Sequence, residues 1–269
     1  MLNDPPSIVI TDNDTTAAAL QRFLLRLASD MPGSVKFRIL NSIEHFHRAF
    51  EIFNTDREMA SFRAITGEEE AATALIKAIQ LRRYPHAKEF NARDHQHKAA
   101  VMACVGAIAS QMAPLLTEFQ LKFDFEKRRV DVKVPLSNSN IDGGEKFAVQ
   151  PVEPLDLVHK MEDIDEAKSF DGALKNLAAR SNFDNIKKMV SQLANRRNTL
   201  LYATDSSVPE SRASRNDLEK RKIHALTMLV LSVMILQSRK HQALVCQAIL
   251  AFLTVISKLP REDGAGVFE

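Results

Sequence analysis

The residues of this chain best suited to chemistry lie at Arg196-Arg197-Asn198, with Tyr202 four positions beyond Asn198. A guanidinium beside an amide and a phenol can hold a phosphodiester through planar, charge-assisted hydrogen bonds. On a continuous helix Arg197 and Leu201 share one face, and Asn198 and Tyr202 share the next. The same residues also suit a plain helix end, with Arg196 and Arg197 complementing the C-terminal dipole and Asn198 capping it. A second group is Arg93-Asp94-His95-Gln96-His97-Lys98, with His86 upstream. Two imidazoles and a carboxylate so close together are weak candidates for metal ligands. On one helix, however, His95 and His97 stand roughly 200° apart, whereas a zinc pair prefers i and i+4. A solvated helix start explains them better. Arg93 and Lys98 make this neighbourhood basic and suit a phosphate-bearing partner, as does Arg128 in the turn Lys127-Arg128-Arg129.

The Arg197-Asn198 pair near a helix end, followed by two apolar residues and further helices, resembles the HEPN superfamily of helical RNA-cleaving and RNA-binding proteins. The resemblance covers the C-terminal third. It implies a defence- or toxin-type, metal-independent endoribonuclease in which paired protomers bring Arg and His together and the His takes part in attack by the 2′-hydroxyl. Arg197 and Asn198 match the start of the family's motif, but Tyr202 stands where its His belongs. A phenol titrates near 10 and is a weak base at neutral pH. The resemblance therefore implies either a binding relative or a substitute base such as His224 or His241. The competing expectation is a non-enzymatic helical protein that dimerises or docks a partner through its C-terminal helices.

Composition narrows the field. Hydrophobic residues are 45% and charged residues 26% of the 269, an ordinary globular balance. A net charge of +2 means that a nucleic-acid partner needs a local basic patch. Trp is absent and Tyr numbers 2, so base-stacking platforms are scarce. No Gly-rich phosphate loop, nucleophile elbow, zinc ribbon or dinucleotide fingerprint is present, and no cofactor is expected. Cys104 and Cys246 lie in apolar runs, where Cys behaves as a small hydrophobe, and a reducing cytoplasm is the expected setting.

The elements that must position these groups are mostly helical, and the expected class is mainly α with one small β-hairpin. Residues 1–58 read as an appendage: a strand at Ile8-Val9-Ile10, a helix from Thr15 or Thr16 to about Ala28, a strand at 35–40 and a helix at 42–53. Its opening resembles that of a receiver domain, but no later strand ends in a phospho-acceptor Asp, so Asp12 and Asp14 read as turn and cap residues. Residues 59–150 read as a helical segment with a hairpin and a loop. Thr66-Gly67-Glu68-Glu69 resembles a capping box opening a helix that stops before Tyr84-Pro85, and Asp94 caps the next, with Pro114 near its end. Leu121, Phe123 and Phe125, then Val130, Val132 and Val134, alternate as a hairpin at about 120–135. Residues 135–154 read as a linker. The C-terminal bundle, 151–269, should hold acidic helices at 155–167 and 170–179 and three helices within 182–257. Apolar runs at 223–236 and 243–256 fall short of the roughly twenty residues that span a bilayer. A buried hairpin or a dimer interface is the expectation there.

Overall fold

A computed structural model describes residues 15–116, 120–124, 126–136, 147–156, 170–203 and 208–257. The expected strand at 8–10, the acidic loop at Asp12 and Asp14, Phe125, and most of the helix expected at 155–167 lie outside these residues. The described chain is mainly α, with eight α-helices and one three-stranded antiparallel sheet.

The helix α1 (Thr15–Ala28) forms as the helical spacing of its buried apolar positions, Ala19, Phe23, Leu24, Leu27 and Ala28, dictates. The next helix, α2 (Gly33–Ile52), starts directly after Pro32 and runs unbroken through the residues expected as a strand at 35–40. The apolar-charged alternation there is a local accident. The spacing that governs burial is Val35, Ile39, Ser42, Phe46 and Ala49, one helical stripe, and it leaves Phe37 in water at 65% exposure. The segment expected as an appendage thus contributes Phe23, Leu24, Ile39 and Phe46 to the same core as the rest of the chain.

Helix α3 (Arg57–Leu81) is the central element, buried on most of its circumference and packed against α2 on one side and α7 on another. Its N-cap is Asp56, whose carboxylate accepts the Met59 N–H at 2.8 Å. The expected start at Thr66-Gly67-Glu68-Glu69 is therefore incorrect. These residues lie mid-helix, where the Thr66 hydroxyl donates to the Phe62 carbonyl and the carboxylates are free for other work. Gly67 has a packing reason. A Cβ there would stand 2.9 Å from the Phe46 ring, and the Ser42 hydroxyl donates to the Gly67 carbonyl at 2.7 Å, so α2 and α3 cross in close contact.

Helix α4 (His95–Leu116) is capped by Asp94, which accepts the Gln96 and His97 N–H groups, and Pro114 sits in its last turn. Strands β1 (Gln120–Asp124) and β2 (Arg129–Leu136) form the expected hairpin, with Leu121 opposite Val132 and Phe123 opposite Val130. In place of Asn-Gly, the turn uses the Asp124 carboxylate, which accepts the Glu126 and Lys127 N–H groups, with Arg128 at a φ of 51°. Strand β3 (Phe147–Val149) pairs with β2 inside the segment expected as a linker, so that expectation is corrected. The Gln237 amide both accepts from and donates to the Val130 backbone and fastens the sheet to the end of α7.

Helices α5 (Asp171–Arg180), α6 (Ile186–Thr199), α7 (Arg215–Gln237) and α8 (Ala243–Ile256) complete the bundle. Ser214 and Asp217 form a reciprocal capping box on α7, whose apolar half is core against α3. Among the described residues, no helix is long and apolar enough to cross a membrane.

Candidate functional site

The site is built around two consecutive carboxylates on α3, Glu68 and Glu69, each about 5% exposed. A buried carboxylate needs partners, and neighbouring helix positions point roughly 100° apart, so the two serve different clusters. Glu68 faces α7. It forms an ion pair with Arg221, and its Oε1 accepts from His224 Nδ1 at 2.7 Å. Burial alone would raise the Glu68 carboxyl, but the Arg221 guanidinium and the His224 hydrogen bond outweigh it and hold the group below the ordinary carboxylate value. Glu69 faces α4 and α6. His95 Nδ1 lies 3.1 Å away, Lys98 Nζ 3.7 Å and Arg197 Nη1 3.8 Å.

On the Glu68 side a cleft of about 1040 Å³ opens between α4, α6 and α7. Its polar wall carries Asn195 and Arg196 from α6 and Asp217, Lys220, Arg221 and His224 from α7. The His224 Nε2 atom is buried and has no hydrogen-bond partner, and it lies against Gly106, where the missing side chain leaves α4 thin. With Nδ1–H donating to Glu68, Nε2 is the ring's remaining polar atom. Arg196 is exposed along much of its length. Crowding by the protein and the like charge of Arg221 pull its pKa below the usual arginine value, against the attraction of Glu68 and Asp217. The arrangement is a fixed carboxylate–imidazole pair beside two guanidiniums and an ammonium. Chemically it can bind an anion, and proton exchange at the buried Nε2 requires a small movement that opens this atom to the cleft.

The residues singled out from the sequence do not all meet here. Arg196 lines the cleft and His224 stands in its wall. Arg197 turns the other way, toward Glu69 and over the Phe62 ring at 5.9 Å. Helix α6 ends at Thr199, so Asn198 and Tyr202 are joined only through the backbone, where the Tyr202 N–H donates to the Asn198 carbonyl; the Tyr202 side chain is 66% exposed. Lys98 belongs to the Glu69 cluster. Arg93 is exposed in the turn before α4, and Arg128 pairs with Asp30 at the far end of the hairpin. His95 goes to Glu69, whereas His97 accepts the Asn91 N–H at 3.1 Å and lies edge-on to Phe252. Among the described residues no group of His, Cys, Asp and Glu is placed to hold a metal ion. His241 donates toward the Arg82 carbonyl and stacks on Tyr84, away from the cleft.

Glu68 escaped sequence reasoning because a capping box accounted for it. The available signal was three carboxylates in a row, Glu68-Glu69-Glu70, ahead of the apolar helix 71–79. Each finds a cation from another helix, Glu70 taking Arg38 at 2.7 Å.

Comparison of the chain with protein-family models, with curated proteins and with solved structures finds no match.

Proposed function

We propose that the cleft between α4, α6 and α7 binds the RNA backbone and cleaves it without a metal ion. The observation that carries the reading is the Glu68–His224 pair, with Nε2 unpartnered, in a wall shared with Arg196, Lys220 and Arg221. In this reading Arg196 and Lys220 hold a phosphodiester by its charge. His224 Nε2 accepts the 2′-hydroxyl proton, the 2′ oxygen bonds to phosphorus, and the 5′ oxygen leaves and is protonated by water, giving a 2′,3′-cyclic phosphate. Glu68 orients the imidazole and stabilises its charged form. The proposal keeps the RNA-directed chemistry implied by the HEPN resemblance, including His224 as the substitute base, but gives Arg197 a place in the Glu69 cluster outside the cleft.

The test is a gel assay on total RNA at low and moderate salt, with and without chelator. Wild-type protein should cleave with chelator present, His224→Ala and Arg196→Ala should lose cleavage while staying folded, and Arg197→Ala should retain it. Absence of binding and cleavage by folded wild-type protein would end the RNA reading.

A second reading, a helical interaction protein, draws on the exposed apolar side chains Leu201, Tyr202, Val208 and Ile223 in and beside the α6–α7 connection. It expects a concentration-dependent mass in solution that Ile223→Lys reduces. It places self-association at this connection, since α7's apolar half is buried against α3.

A further inference from the structure

A second cavity, of about 350 Å³ and partly open to solvent, lies on the other side of α4, lined by α1, α3, α4, α7, α8 and the sheet. Its walls include Leu75, Ile79, Cys104, Met234, Val245 and Phe252, each almost fully shielded from water. The wall chemistry excludes water as the occupant. An internal water requires two to four polar partners. Among the described lining residues the side-chain candidates are the Cys104 thiol and the Thr227 hydroxyl, and Thr227 already donates to the Ile223 carbonyl at 3.0 Å. Burial pushes the Cys104 thiol up to about 12, so it adds no charge to the wall.

An empty apolar void is also unfavourable, because the lining forfeits its dispersion contacts in proportion to the volume left open. The volume falls in the range of sites that take small molecules, and the lining is of the kind that gives them affinity.

We infer that this cavity is a binding site for an aliphatic small molecule, one whose buried part is hydrocarbon, held by the converging apolar faces of α3, α4, α7 and α8. Recognition there is by shape and desolvation, since the described wall offers a polar group little beyond the Thr227 hydroxyl and the Cys104 thiol. The site is separate from the charged cleft and does not depend on its function.

Decanol and the fluorescent probe N-phenyl-1-naphthylamine test the inference on the full chain, whose lack of Trp keeps the emission background low. Decanol should raise the thermal midpoint saturably, and the probe should brighten on binding and be displaced by decanol. Ala248→Phe places a ring into the cavity and should weaken both effects at least tenfold while raising the midpoint of the ligand-free protein. If that variant does not fold, Leu231→Phe fills the void from α7 instead. An unchanged midpoint and unchanged probe emission with wild-type protein would overturn the inference. So would undiminished binding to a folded, filled variant, which would place the probe elsewhere.

Discussion

One face of α7 serves two regions of opposite chemistry. Asp217, Lys220, Arg221 and His224 line the charged cleft, and at the same three- and four-residue spacing Thr227, Leu231 and Met234 continue into the apolar cavity. Helix α4 is shared in the same way, with Met102 and Gly106 toward the cleft and Cys104 and Ile108 toward the cavity. Helical geometry gives each side chain its address, and side-chain type decides what that address can hold. At the N-terminal half of α7 each buried charge requires a counter-charge on α3, which fixes the geometry. At the cavity, Leu231 and Met234 have no directional partners, so shape alone operates there.

The contrast can be broken from either end. The largest effect is expected at His224→Ala, which should lower RNA cleavage by about 10²- to 10⁴-fold, the usual contribution of a positioned acid–base group, measured in single-turnover assays. Glu68→Leu gives the charged end the chemistry of the apolar end. It strands Arg221 and leaves His224 without its acceptor, and should cost about 3 kcal/mol in chemical denaturation, at the lower end for a broken buried pair because Arg221 keeps some access to water. The converse change, Leu231→Lys, brings an unpaired charge to the cavity wall and should cost about 2 kcal/mol by the same measurement, whereas Lys220→Leu on the exposed first half should be nearly silent.

Acid should also separate the two ends. A carboxyl held below its reference value of 4.5 contributes stability that is full above that value and is lost as pH falls through the lower folded value. Wild-type protein should therefore lose stability more steeply than Glu68→Gln below about pH 4.5, in denaturation midpoints taken across pH. A small effect is expected at Arg197→Ala. Its ion pair with Glu69 is long and a third of the side chain is in water, so the loss should stay within about 1 kcal/mol.

Much of the fold was legible in the sequence. The cap at Asp94, the stop before Tyr84-Pro85, the period-two hairpin and the C-terminal helices are local patterns, and local patterns survive folding. The errors arose where a short pattern competed with a longer one. The alternation at 35–40 lost to a twenty-residue amphipathic stripe, and Thr66 to Glu69, plausible as a cap, lay inside a helix that had already begun at Asp56. Strand β3 was illegible because three residues carry no period and gain their partner only from β2. Of the candidate site, Arg196 and His224 were in view, but the sequence tied Arg196 to its neighbour Arg197, from which the tertiary contacts separate it.

By itself the sequence determined a mainly helical chain, a hairpin at about 120–135 and a basic, amide-rich end to α6, because hydrophobic period and capping act over a few residues. Only the tertiary structure decided that Glu68 meets His224 across 156 positions while Glu69, one residue on, takes Arg197. Buried charge must be neutralised wherever the helices happen to cross, and no local pattern records where that is.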